Sequence, residues 1–205
     1  MALATYSDLK SSVADWLNRD DLTAQIPDFI AMAEARFNRE IRNHAMIGRY
    51  TNTTSNSYFS LPADWVEMIS LVSTGSPPVA LEYVSIDSLN DIRQDVLTGN
   101  PRYYTIIDND LLVHPAQSDD VDFELTYYKK IAALSDVNTS NWLLSSHPDI
   151  YLYGSLMQAE PYLKNDERTT TWATLLSQAM EALRLADERA KRPAGGFTAR
   201  RRTFG

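Results

Sequence analysis

Cysteine is absent from the 205 residues, which removes disulfides, thiolate nucleophiles and every zinc site built on sulfur. Histidine is nearly as scarce. His44, His114 and His147 stand too far apart for an HExxH-type pair, so no metal ion or other cofactor is expected. His114 precedes Pro115 and His147 precedes Pro148, and both read as loop residues. Glycine numbers only seven, and no GxSxG elbow, phosphate-binding glycine loop or GxGxxG occurs. Nucleotide binding and triad catalysis are therefore not indicated. Apolar residues nowhere run long enough to cross a bilayer, and MALATYSDLK lacks a basic start followed by an apolar stretch. A soluble chain without a signal peptide or membrane contact is expected.

Acidic side chains, by contrast, are plentiful. The chain carries 27 Asp+Glu against 19 Lys+Arg, yet Arg189 to Gly205 holds six basic side chains and no acidic one. The remaining body has 13 cations against 27 anions, a charge of −14. Such a body repels nucleic acid at a distance, so DNA contact would have to come from the tail. Pairs such as Glu160 with Asp166, or Asp119 with Asp122, could serve a glycosidase as acid and base. In a chain this acidic such pairs arise by coincidence, and most of its acids are simply solvated. No enzymatic activity is assigned.

With 44% apolar residues the chain supports a real core. Thr5 stands three residues before Asp8, and Leu9, Val13, Trp16 and Leu17 follow on one helical face, predicting a first helix to about Asn18. Pro27 suits the first turn of a second helix whose stripe is Ile30, Ala33, Phe37 and Ile41, expected to run to about Ile47. Off that stripe Arg36 pairs with Glu40 at i,i+4, while Arg36, Arg39 and Arg42 make a cationic row at i,i+3. Such a row suits acids supplied from outside; the plainer reading is a solvated face.

From Tyr50 to about Ile131 the pattern becomes short β-rich runs: Tyr58–Leu61, Val66–Thr74, Val79–Tyr83, Tyr103–Ile107, Leu111–Val113 and Phe123–Tyr128. Short connections favour antiparallel pairing, and Asp108-Asn109-Asp110 suits a hairpin turn. One short helix is expected over Ser85–Val96. Tyr103-Tyr104 and Tyr127-Tyr128 should each send one ring inward and one outward, into core or interface contacts. Helical periodicity returns at Pro148, with Ser145 or Ser146 as a cap and Gly154 permitting close approach of another helix. Pro161 should kink or break that helix. A last helix is expected from about Arg168 to Lys191. The implied fold class is α+β: a helical bundle from 1–49 and 141–192, a β-rich insert over 50–140, and an extended, flexible C-terminal arm over 193–205.

Several stretches together resemble the head-to-tail adaptor (connector, head completion or tail accessory) proteins of tailed bacteriophages: TYSDLKSSVADWLNRDDL with IPDFIAMAEARFNREIR, FSLPADWVEM, GNPRYYTI and, most specifically, NWLLSSHPDIYLYGSLMQAEPYLKND. The likeness covers nearly the whole chain in order, and its motifs are packing signatures without catalytic residues. It implies a homo-oligomeric ring of about twelve copies with closed symmetry, beneath the portal protein at the head–tail junction of the virion. During assembly the chain would be in the host cytoplasm. Packaged DNA would pass through the channel without sequence-specific binding, and a tail or nozzle protein would attach below. The resemblance also implies that the C-terminal arm reaches the portal. Phe197 and Phe204 would anchor in apolar pockets, and Arg200, Arg201 and Arg202 would pair with acids or carbonyls. Alternative readings are a solubilising tail, a DNA-binding module built on those arginines, or a peptidoglycan-degrading tail accessory protein.

Overall fold

The computed structural model describes residues 3–75, 77–95, 98–163 and 166–191. In chain order its elements are α1 (Tyr6–Leu17), α2 (Ile26–Glu40), a 3-10 turn (His44–Met46), β1 (Ile47–Thr54), β2 (Tyr58–Ser60), β3 (Trp65–Ser73), β4 (Val79–Ala80), β5 (Glu82–Tyr83), α3 (Ile86–Asp95), β6 (Tyr103–Ile107), β7 (Asp110–His114), β8 (Val121–Lys129), α4 (Trp142–Ser146), α5 (Pro148–Leu163) and α6 (Asp166–Lys191). The fold is mixed α+β. It divides into two compact units, one of residues up to Ala45 together with those from Ile131, the other of Met46–Lys130.

In the first unit α1, α2, α4 and α6 all pack against α5. The sequence of α5 explains its central place: Ile150, Tyr151, Leu152, Gly154, Ser155, Leu156, Ala159 and Glu160 are buried around its circumference, as in a helix with neighbours on every side. Gly154 sets one of those approaches. A Cβ there would lie 2.4 Å from Cζ of Phe37 on α2, so only glycine admits the Phe37 ring. α1 begins in a capping box: the Asp8 N–H donates to Thr5 Oγ1 (3.2 Å) and the Thr5 N–H to Asp8 Oδ2 (3.0 Å). It ends on Asn18 in the left-handed conformation.

α2 stops at Glu40, short of the expected Ile47. Ile41 turns extended (φ −87°, ψ 131°) and is buried, and the Arg42 guanidinium donates to the carbonyls of Asn38 (3.0 Å) and Ile41 (2.7 Å). Helix-terminal carbonyls thus acquire a cationic donor. Pro161 lies inside the helix, which continues past it to Leu163, so it does not break the helix where it stands. Asn141, whose Oδ1 accepts the Leu144 N–H (2.9 Å), caps the short α4 that the sequence reading missed, and Ser145 and Ser146 lie inside it.

The second unit contains two four-stranded sheets, ordered β1-β8-β3-β4 and β2-β7-β6-β5, with every pair antiparallel except β5–β6. Both sheets feed one core of Phe59, Leu61, Leu71, Leu81, Tyr104, Leu111, Val113, Phe123, Leu125 and Tyr127, in which the Phe59 and Phe123 rings stack at 5.2 Å. Val79–Tyr83 is not one strand. The chain changes sheets at Leu81, which is buried and donates its N–H to Leu71 O (2.9 Å), so β4 joins the first sheet and β5 the second. β6 and β7 form the expected hairpin, with Asp108 at φ 56° in its turn. His114 is the buried last residue of β7 and not a loop residue. Of the adjacent tyrosines, Tyr104 and Tyr127 are buried while Tyr103 and Tyr128 are partly exposed.

Candidate interaction surfaces

The predicted arginine row is not a row. Arg36 and Arg39 lie on α2, but Arg42 lies beyond its end and caps it. Arg36 Nε donates to Glu40 Oε1 (2.8 Å) and its Nη1 to Met157 Sδ on α5 (2.9 Å), so this cation is tied within the unit. Arg39 is exposed in the last turn. Arg36, Glu40 and Arg42 line a shallow groove of about 350 Å³ with Met180, Arg184 and Asp187 of α6. Its charges already have partners: Arg184 donates to Glu181 Oε1 and Oε2 (2.7 and 2.9 Å) and bonds Glu188. The C-terminal candidates Phe197, Arg200, Arg201, Arg202 and Phe204 lie outside the described residues.

At one end of this groove Asp187 is buried and engaged three ways. Oδ1 accepts the His44 N–H (2.8 Å) and contacts His44 Nδ1 (2.7 Å), and Oδ2 pairs with Lys191 one turn along α6. An ionised carboxylate only accepts, so this geometry places the proton on His44 Nδ1. Burial would raise the Asp187 pKa, but Lys191 and both His44 donors outweigh it and hold the carboxyl below its usual range. His44, His147 and Asp187 together line a second, smaller pocket of about 190 Å³. Among the described residues no group of three or more His, Asp or Glu is placed to hold a metal ion, and no helix is long and apolar enough to cross a membrane.

A second polar cluster lies deeper. Glu34 sits inside the apolar stripe of α2, between Ile30 and Phe37, and is buried. Its Oε1 accepts the Leu134 N–H (2.8 Å) and the Tyr151 hydroxyl (3.0 Å), and the Tyr151 oxygen accepts from Asn141 Nδ2 (2.6 Å). Burial pushes the Glu34 carboxyl up against the pull of those two donors. Burial, then the Glu34 charge, push the Tyr151 phenol far above its ordinary value. Asn38 adds to the same hold, its Oδ1 accepting the Ile131 N–H (2.8 Å). The sequence signal for this cluster was a carboxylate at i+4 from Ile30 and i−3 from Phe37, a polar residue on a face otherwise destined for the core.

The aromatic residues gather where α1, α5 and α6 meet. Trp16, Tyr153 and Trp172 form a triad with centroids 5.5 to 6.3 Å apart, and Trp16 remains 45% exposed. The Trp172 indole N–H donates to Oε1 of buried Glu160 (2.9 Å), whose Oε2 has no hydrogen-bond partner. Of the Asp119/Asp122 pair, Asp122 lies at the start of β8, an inner strand, where its Oδ1 accepts from Thr53 Oγ1 on the neighbouring β1 (2.6 Å). Such a surface is made of packed rings, capped helix ends and charge pairs, and is suited to protein contact.

Comparison with known proteins agrees with that character. No curated protein matches the chain. A family model described as SU10 adaptor protein matches residues 4–201, almost the full length. The chain therefore belongs to the SU10 adaptor protein family, a family of phage head-to-tail adaptors.

Proposed function

We propose that this protein forms a closed ring of about twelve copies beneath the portal of a tailed phage, attaches the portal to the tail or nozzle protein, and extends the channel through which packaged DNA passes. The observation that carries this reading is the family match over residues 4–201. In it the helical unit of residues up to Ala45 and from Ile131 acts as a bundle, Met46–Lys130 as a β-rich insert, and 193–205 as the arm that reaches the portal. Phe197 and Phe204 anchor that arm, and Arg200, Arg201 and Arg202 pair with portal acids or carbonyls. Of Arg36, Arg39 and Arg42, exposed Arg39 is the one turned toward a neighbouring subunit, the other two being held within the unit. The body charge of −14 supports a lumen that repels phosphates and lets the genome slide. The role is structural, with no catalytic residue. Sedimentation of the full chain and of a chain truncated after Lys191, each with and without portal rings, tests it. A defined ring complex that disappears on truncation supports both the ring and the arm. Binding by both forms returns the arm to a solubilising tail, and binding by neither overturns the reading.

A further inference from the structure

Residues 131–141 have no regular secondary structure, yet the segment is tied down by bonds from several elements. From within the helical unit, Asn38 takes the Ile131 N–H, Glu34 takes the Leu134 N–H, and Asn141 Nδ2 donates to Ala132 O (2.7 Å). Across the turn, Ser135 N–H donates to Asn138 O (2.9 Å), Asn138 N–H to Ser135 Oγ (2.9 Å) and Asn138 Nδ2 to Ala133 O (2.6 Å). From α1, the Tyr6 N–H donates to Thr139 O (2.7 Å) and Lys10 Nζ pairs with Asp136 (2.9 Å). Ile131 and Leu134 are buried by this framework, and Val137 at the turn is 97% exposed.

Single exposed apolar side chains are ordinary on protein surfaces. A rigid mount for one is not. Holding the turn commits a buried carboxylate and a buried phenol, which costs desolvation, while Val137 returns nothing by burial within its own chain. Preorganisation of this kind lowers the ordering cost of association.

The same unit offers a complementary surface at the other end of α1. Tyr6 and Trp16 are ten residues apart, roughly 15 Å along a helix, and Trp16 opens the Trp16–Tyr153–Trp172 triad to solvent. Arg168, exposed one turn before Trp172 on α6, puts a cation near the rings, and exposed Asp136 puts an anion beside Val137. Two complementary patches that are held apart on one copy meet only between copies, head to tail, which is the contact that builds a ring when the rotation closes.

We infer that the Val137 turn docks on the Trp16–Tyr153–Trp172 triad of a second copy of this chain, with Asp136 facing the second copy's Arg168. The inference deepens the ring reading and rests on it. One valine among three rings is an energetic centre of such an interface and not its whole area.

The natural absence of cysteine makes the test clean. Full-length Trp16→Cys/Val137→Cys chains, sedimented on portal rings and treated with a short bismaleimide, should yield a ladder of covalent multimers, whereas each single variant, with no thiol across the contact, should yield no ladder. If rings form on the portal and the double variant gives no ladder, the docking is overturned while the ring reading stands. If the unmodified chain forms no ring, both fall. Should Trp16→Cys fail to fold, charge reversal decides: Asp136→Arg and Arg168→Asp each weaken ring formation about tenfold, a shift of about 1.4 kcal/mol, and the combination recovers it. Singles that leave ring formation unchanged would overturn the contact.

Discussion

Replacing Gly154 by alanine sets two effects of opposite sign against each other. Alanine is favoured over glycine inside a helix by about 1 kcal/mol. The new Cβ, however, would sit 2.4 Å from Phe37 Cζ and 2.9 Å from Cε1, where carbon atoms at rest keep about 3.5–4.0 Å. The Phe37 ring must therefore move by more than 1 Å. It is fully buried and already meets the Tyr151 ring edge-on at 5.3 Å, so it has nowhere ready to go. Overpacking of this kind costs about 1–3 kcal/mol, leaving a net loss of up to about 2 kcal/mol. At about 2–4 °C per kcal/mol for a chain this size, the melting temperature followed at 222 nm should fall by several degrees. Phe37→Leu in the Gly154→Ala background should cost less than Phe37→Leu alone, a coupling read from a double-mutant cycle. If Gly154→Ala raises the melting temperature by the full propensity gain, the close approach of α2 to α5 is not as described.

Further outcomes follow from the buried polar groups. Because burial raises the folded-state pKa of Glu34, the native state holds a proton more tightly than the unfolded chain, and stability should decline as pH rises above about 4.3. Glu34→Gln should flatten that decline in urea melts while keeping both donors satisfied, whereas Glu34→Ala should cost about 1–3 kcal/mol by orphaning them. An Asp187→Asn variant should remove the opposite dependence: the lowered pKa of Asp187 contributes stability above about pH 4 that is lost as pH falls through its folded value. Burial, then the hydrogen bond to Asp64, push the Tyr127 phenol up to about 12. Ultraviolet titration should show one tyrosine ionising near there, absent in Tyr127→Phe, with stability lost from about pH 10 upward.

Much of the local structure was legible because short-range chemistry decides it. The Thr5 cap, the turn at Asp108, strand Tyr103–Ile107 and the close approach at Gly154 each depend on residues within a few positions or on one small side chain. What escaped depends on distant partners. β1 buries no side chain of its own and is a strand because its eight residues ladder with β8; Gly48 within it makes room for the Tyr127 ring, 3.1 Å from where a Cβ would be. The end of α2 and the crossing at Leu81 are likewise set by burial of Ile41 and Leu81, tertiary events that periodicity does not report. At the surfaces, Arg36, Arg39 and Arg42 looked equivalent by spacing, and only the helix end separated the capping Arg42 from the other two. Glu34 carried a signal, a charge on an apolar face. The Val137 turn carried little, since its local Ser135–Asn138 bonds are joined by anchors to donors and acceptors nearly a hundred residues or more away.

The most direct test of the head-to-tail role is made in the phage that encodes this chain. Deleting it and imaging the particles should give heads that carry portals and package DNA but lose that DNA and bear no tails, with tails restored when the full chain is supplied. Tailed, infectious particles made without the chain would contradict the account.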